Sequence, residues 1–330
     1  MKILVTGSTG FIGSHLCRAL VNAGEHVRAF HRPSSSLEGL AGLAVERAIG
    51  DITQPDTLDA AMQGIEVVYH CAAMLGRPEN PQLMYRATVE GTRNVLQAAL
   101  QAGVPRLVHT SSVAALGVPL ETQRVANPMP INEHHTWNFR PSRWRYGHAK
   151  YLAELEVQYA VAQGLDATIV NPSVVVGAGD LNRVSGEVII NLAHGRIPAA
   201  VSGGANIIHI DDVVRGHLAA MKLGKSGERY ILGGENLTHL RFLRTIAQIA
   251  GVKAPQINLP ARLVRSLALP VSFAENWLSL PASGELLNKA GYFFYYDTRK
   301  AQQELGFSPT HSIRRAVADA YAWYLGQGVL

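Results

Sequence analysis

A chain of 330 residues with 30 Lys+Arg against 25 Asp+Glu carries a formal charge of +5, with 47% hydrophobic and 17% charged residues. Such a composition excludes a disordered chain. Its 2 cysteines, Cys17 and Cys71, exclude a disulfide framework or cysteine-rich zinc site, and the scattered cations form no block that would mark a nucleic-acid tract.

In chain order, 2–6 reads as a strand and 7–13 as a glycine loop. A helix follows, with Ile12, Leu16, Ala19 and Leu20 on one face and Gly24 as its stop. Strands are expected at 26–32 and 44–50, then a short helix capped by Asp56 and ended by Gly64. A strand at 66–71 precedes a long helix over 81–102. Strands at 106–111 and 167–171 flank a helix containing Tyr146. Alternating strands and helices predict an α/β fold, a Rossmann doubly wound parallel sheet with helices on both faces. Past Pro172 the pattern loosens. One further unit has Asp211 or Asp212 capping a helix to Gly224 and a strand at 229–232. The remainder, including 238–250 and 312–325, reads mainly as short helices.

The expected organisation is a cofactor domain of 1–172 plus about 206–232, and a smaller, mostly helical substrate domain of about 173–205 plus 233–330. The opening apolar run is too short for a secretion signal. No stretch reaches the ~18 apolar residues that span a bilayer. A cytoplasmic protein without a transmembrane segment is expected, monomeric or homodimeric. The apolar segment 263–280, broken by Arg265, Pro270 and Glu275, reads as a substrate lid or core helix, with membrane-surface contact as the lesser reading.

Three glycines in Gly7-Ser8-Thr9-Gly10-Phe11-Ile12-Gly13 follow a strand and open a helix, the context of a dinucleotide phosphate loop. Gly7 suits a tight turn, Gly10 a close approach of backbone to pyrophosphate, and Gly13 close packing of helix on strand. Uncapped N–H groups and the helix dipole would hold the phosphates. The second strand ends Ala29-Phe30-His31-Arg32, without a carboxylate for a free ribose 2′-hydroxyl. Arg32 and the serines after it suit a 2′-phosphate, so NADP(H) is expected.

Tyr146 and Lys150 lie four apart, on one face of a helix. A free tyrosine has a pKa near ~10, and a neighbouring ammonium would lower it toward neutrality. A hydroxyl at the end of the fifth strand, Ser111 or Ser112, could hold a substrate oxygen. His134 and His135 are adjacent and cannot readily converge on one ion, so no metal site is expected. Trp137 and Trp144 either line the substrate mouth or anchor a long loop. The aromatic run 292–296 hints at a hydrophobic or aromatic substrate, or is core.

The three-and-three glycine spacing, with the tyrosine, lysine and strand-end serines, resembles the extended short-chain dehydrogenase/reductase family (the NAD-dependent epimerase/dehydratase superfamily). The whole chain is similar to its dihydroflavonol-4-reductase-like members, most strongly through residue 177. The resemblance implies that Asp51 and Ile52 contact the adenine and that Cys71, Ala72 and Ala73 let the cofactor lie close to backbone. It places Pro172, Ser173 and Val175 against the nicotinamide, with Phe11, Ile12 and Thr110 also in the cofactor cradle. Ser112, four residues before Leu116-Gly117 at the family's Tyr-Gly position, becomes the catalytic hydroxyl, and Met74 and His209 become substrate contacts. Thr88 departs from the pattern, because relatives carry an asparagine that organises a proton relay. The implied activity is NADPH-dependent reduction of a small-molecule ketone or aldehyde with Tyr146 as general acid. The alternatives are a nucleotide-sugar epimerase and a non-catalytic NADP-binding protein.

Overall fold

The computed structural model describes residues 1–74, 80–120, 128–268, 270–271 and 287–330. In chain order come β1 (Lys2–Thr6), α1 (Phe11–Asn22), β2 (His26–His31), β3 (Glu46–Ile49), α2 (Asp56–Met62) and β4 (Val67–His70). Then α3 (Pro81–Tyr85) runs through a π turn (Arg86–Glu90) into α4 (Gly91–Gln101), followed by β5 (Arg106–Thr110), α5 (Arg145–Ala162) and β6 (Ala167–Pro172). The second half holds β7 (Val174–Val176), α6 (Glu187–Ala193), β8 (Ala199–Val201), β9 (Gly204–His209), α7 (Ile210–Leu223) and β10 (Arg229–Leu232). It ends with β11 (Glu235–Thr238), α8 (His239–Ala250), β12 (Ile257–Leu259), α9 (Ala261–Ser266), β13 (Phe293–Phe294), α10 (Arg299–Leu305) and α11 (Ile313–Gly326).

The main sheet has seven strands in the order β10-β6-β5-β4-β1-β2-β3, all parallel. This is the Rossmann fold that the alternating pattern predicts. Both faces are covered, so its central strands are continuous apolar runs. Leu16 and Leu20 of α1 and Val213 and Ala220 of α7 cover one face. Leu58 and Met62 of α2, Leu96 of α4 and Val157 of α5 cover the other. Chain order reverses between β1 and β4, which opens a crevice at their carboxyl ends.

A second sheet, missed by the sequence reading, gathers β7, β11 and β13 around β9. Its strands span two to six residues and are bounded by glycines, too short to show alternation. α6, α8 and α11 close a third core over this sheet through Ile189, Phe242, Ile246 and Val317. β9 belongs to this small sheet, whereas α7 after it packs beside α1 on the main one. Val264 and Ala268 are buried, while Leu263 and Leu267 are 62% and 56% exposed, so one face of this part of the apolar segment is open surface and the other is core. The remainder of 263–280 falls mostly outside the described residues. Tyr292 and Tyr296 are buried and serve as core.

Two expected caps are corrected. Pro55 holds the N-cap position of α2, and Asp56 lies in the first turn beside the dipole. For α7 the cap is His209, whose Nδ1 accepts from the Asp211 N–H at 3.0 Å. Asp212 instead accepts from the backbone N–H groups of Thr310 and His311, tying α7 to the start of α11.

Candidate active site

The glycine loop is set by close approach. Gly7 has φ +65°, and a Cβ there would lie 2.7 Å from the Ala72 Cα at the end of β4. A Cβ on Gly13 would come 2.2 Å from the Gly7 carbonyl oxygen, so α1 could not seat against the loop with any other residue. Gly10 donates its N–H to that same carbonyl at 2.9 Å. α1, opening at Phe11 and Ile12, has no side-chain cap and no acid in its first turn. Its N-terminal dipole is left uncompensated at the crevice, which suits an anion.

Around this loop stand the other expected cofactor residues. Arg32 is exposed and has no carboxylate partner among the described residues, and its carbonyl accepts from the Ser35 N–H at 3.1 Å. Asp51 spends one carboxylate oxygen on Thr53, accepting from its N–H and its hydroxyl at 2.9 Å each. Ile52 is buried, its carbonyl fixed by Asn94 at 2.9 Å. Cys71 and Ala72 are half-buried and Ala73 is exposed. Burial pushes the Cys71 thiol up to about 11, so it is a neutral small side chain there. Thr110 donates to Cys71 Sγ at 3.2 Å and hydrogen-bonds His217 Nε2 at 2.9 Å. Pro172 ends β6, and the Ser173 N–H donates to the Leu232 carbonyl at 3.0 Å. Val175 sits in β7, half-buried. The Ser173 hydroxyl and Asn171 Oδ1 are buried with no hydrogen-bond partner.

Ser112 and Tyr146 come together. Ser112 follows β5, and its hydroxyl accepts from the Ala114 N–H at 3.2 Å, opening a 3-10 turn (Val113–Leu116). The same hydroxyl lies near enough to Tyr146, in the first turn of α5, to oppose the rise of its pKa. Ser111, its sequence competitor, donates instead to the buried Glu154 at 2.5 Å. Lys150 shares the helix face of Tyr146, but its ammonium donates to the Thr110 carbonyl at 2.8 Å. Burial lowers Lys150 to about 8, against the opposing pull of Cys71 and Glu154. The expectation that Lys150 lowers the tyrosine is corrected: burial raises the Tyr146 pKa, and only the nearby Ser112 hydroxyl opposes it. The hydroxyl is therefore held in its protonated form.

Residues 3–233 match the NAD dependent epimerase/dehydratase family. The chain belongs to that family. Sterol demethylase protein B of Methylococcus capsulatus is 38% identical over 100% of both chains. A putative dihydroflavonol 4-reductase of Synechocystis sp. is 37% identical over 98% of this chain and 94% of its own. The structure of a nucleoside-diphosphate-sugar epimerase from Pseudomonas aeruginosa superposes with a TM-score of 0.83 and 29% identity, covering 100% of this chain and 99% of that one. The protein is thus an NAD(P)-dependent enzyme of the epimerase/dehydratase family. A nicotinamide dinucleotide fits the residues present. Gly7 and Gly13 admit no Cβ, the α1 terminus is uncapped, and a buried hydroxyl at Ser173 lacks a partner at the position expected for the nicotinamide.

This family member also holds residues that sequence reasoning missed. Glu154 is buried, and it accepts from Ser111, from Asn171 Nδ2 at 2.6 Å and from Arg229 Nη1 at 3.0 Å. Asn171 Nδ2 also donates to the Ser112 carbonyl at 2.9 Å, so this network holds the Ser112 backbone. Arg229 reaches on to the Glu133 and His135 carbonyls, pinning the loop before α5. Glu154 follows Lys150 by four residues, a spacing that could have exposed it. Thr88 is buried in the π turn, its hydroxyl 3.4 Å from the Met74 N–H, so it steadies the segment after β4. A hydrogen-bonded chain runs from its carbonyl through Thr92 and His70 to Thr6.

Trp137 and Trp144 build an aromatic wall. Their ring centroids lie 6.0 Å apart, Trp144 meets Phe294 edge-on at 5.5 Å, and Tyr146 packs against the cluster with Phe139. His134 is exposed, and His135 Nε2 contacts the Val118 carbonyl at 2.9 Å. His209 is corrected as a substrate contact. Its Nδ1 caps α7, its Nε2 faces Asp319 at 3.2 Å, and its ring stacks on His311 at 4.3 Å. His209, Asp211 and His311 bring ligand atoms within 4.8 Å of one another. The cap occupies the Nδ1 lone pair and leaves the proton on Nε2, so coordination there would cost α7 its cap.

Proposed function

We propose that this protein is an NADPH-dependent reductase of an apolar, ring-bearing ketone. The observation that carries the reading is the placement of Tyr146, half-buried in the first turn of α5, near the Ser112 hydroxyl and packed against the aromatic cluster of Trp144 and Tyr292. A protonated phenol is a proton donor, which suits reduction. Ser112, its backbone held by the Asn171–Glu154 network, would hold the carbonyl oxygen as charge develops on it. NADPH, when bound, supplies the hydride to the carbonyl carbon. Tyr146 delivers the proton to the oxygen, so the carbonyl becomes an alcohol. Lys150, near-neutral in pKa, would return a proton toward Tyr146 from the β5 end. Gly7, Gly10 and Gly13 would seat the pyrophosphate, Arg32 the 2′-phosphate, and Ser173 the carboxamide. Pro172 and Val175 would line the ring.

The apolar substrate rests on the Trp137, Trp144, Phe139 and Phe294 wall and on likeness to proteins named for a sterol and a flavonol. The deciding experiment follows NADPH consumption over steroid, aromatic and aliphatic ketones. Turnover of a ring-bearing ketone with one NADPH consumed per alcohol formed is expected. Absence of NADPH consumption, with a nucleotide-sugar raising the melting temperature, would establish the epimerase reading instead.

A further inference from the structure

The chain's excess positive charge lies in one stretch. Residues 236–274 contain Arg241, Arg244, Lys253, Arg262 and Arg265 and no Asp or Glu. Removing these five leaves 25 Lys+Arg against 25 Asp+Glu elsewhere, so this stretch accounts for the whole net +5. None of the five pairs with a carboxylate among the described residues, whereas Arg28, Arg93, Arg106, Arg215 and Arg229 all do. Four of the five are exposed and Arg265 is half-buried.

Toward its end the same stretch exposes four apolar side chains. Ile257 and Leu259 alternate on β12 and are 61% and 38% exposed. Leu263 and Leu267 follow at helical spacing, while Val264 and Ala268 anchor the opposite face. β12 is held by pairing with β8, and Pro260 joins it directly to α9, so the four exposed residues are adjacent along the chain. Apolar side chains flanked by long cationic ones suit the boundary between lipid headgroups and acyl chains. A second copy of the chain fits poorly, because a two-fold contact on this patch would bring like charges together.

We propose that β12 and α9 form a docking surface for an anionic lipid bilayer. Ile257, Leu259, Leu263 and Leu267 enter the interface, and Lys253, Arg262 and Arg265 meet the lipid phosphates. The inference stands apart from the reductase reading, although an apolar substrate would be collected at the same boundary.

The test is vesicle flotation of the full chain with phosphatidylcholine alone or mixed with phosphatidylglycerol. Binding to the mixed vesicles is expected, with salt-sensitive affinity at least about tenfold above that for phosphatidylcholine. Arg262→Ala with Arg265→Ala should lower affinity about 30-fold, at roughly 1 kcal/mol per cation. Leu263→Asp with Leu267→Asp should abolish binding while melting temperature and turnover of a water-soluble carbonyl stay at parental values. Parent protein that stays unbound on both vesicle types overturns the proposal. So does a leucine variant that binds as the parent does, or one that loses a dimer seen for the parent without vesicles.

Discussion

The end of β5 with α5 and the β12–α9 surface treat polar groups in opposite ways. At the end of β5 buried polar side chains converge on one another, although both His109 ring nitrogens and Asn171 Oδ1 have no partner. Ser111, Asn171 and Arg229 converge on Glu154, Lys150 bonds Thr110, and Ser112 lies beside Tyr146. At β12–α9, Lys253, Arg262 and Arg265 pair with no carboxylate among the described residues, and Ile257, Leu259, Leu263 and Leu267 are exposed. Burial explains the first case, because an unsatisfied group away from water is costly. An exposed unpaired cation costs little. Where unpaired cations sit beside exposed leucines, the pattern reports on a partner rather than on folding.

The contrast can be broken most strongly at Tyr146. Tyr146→Phe should lower kcat by about 10²–10⁴-fold with cofactor affinity retained, since proton transfer by a positioned group contributes that much. A rate near the parent's would remove the mechanism. Next is Glu154→Ala, which leaves Arg229 without its buried partner and should cost about 3–5 kcal/mol in urea unfolding. Glu154→Gln should recover most of that stability and still show a reduced kcat if the network positions Ser112. Arg32→Ala should raise the KM for NADPH by about tenfold or more, the scale of a charge-assisted hydrogen bond, and leave that for NADH unchanged. Equal effects on both cofactors would remove the 2′-phosphate role.

Acid supplies a graded test. Burial lowers His70 to about 3 and His217 to about 4, and His109 also falls well below its ordinary value. Unfolded histidine titrates near ~6.5, so below that pH the unfolded chain binds protons that the native one refuses. Stability should be level between pH 6.5 and about 8 and fall as pH drops from 6.5 toward 4, by up to about 1.4 kcal/mol per unit for each such histidine. Thermal melts at stepped pH would show it, and His217→Asn should flatten the slope. The smallest effect is expected at the open surface, where Leu263→Asp should change stability by less than about 0.5 kcal/mol.

Much of the cofactor half was legible because its signals are local. Gly7, Gly10 and Gly13 report steric limits within one turn, and Tyr146 with Lys150 reports one helix face. The choice between Ser111 and Ser112 is another matter for the residues alone, since it depends on where Glu154 points. The second sheet was illegible because β7 to β13 are too short to carry a period and pair across distant segments. The caps misled in the same way. Asp211 and Asp212 suit a helix start by type, but His209 is the residue placed to accept the free N–H.

Sequence by itself determined the doubly wound sheet, the glycine loop between β1 and α1, the family, and the helix face shared by Tyr146 and Lys150. Each rests on residues within a few positions of one another. Tertiary structure decided that Lys150 turns to Thr110 and that burial, with Ser112, sets the Tyr146 proton. It also decided that Leu263 and Leu267 face solvent. Hydrogen-bond direction, desolvation and exposure depend on what the rest of the chain brings alongside, and a linear pattern holds no record of that.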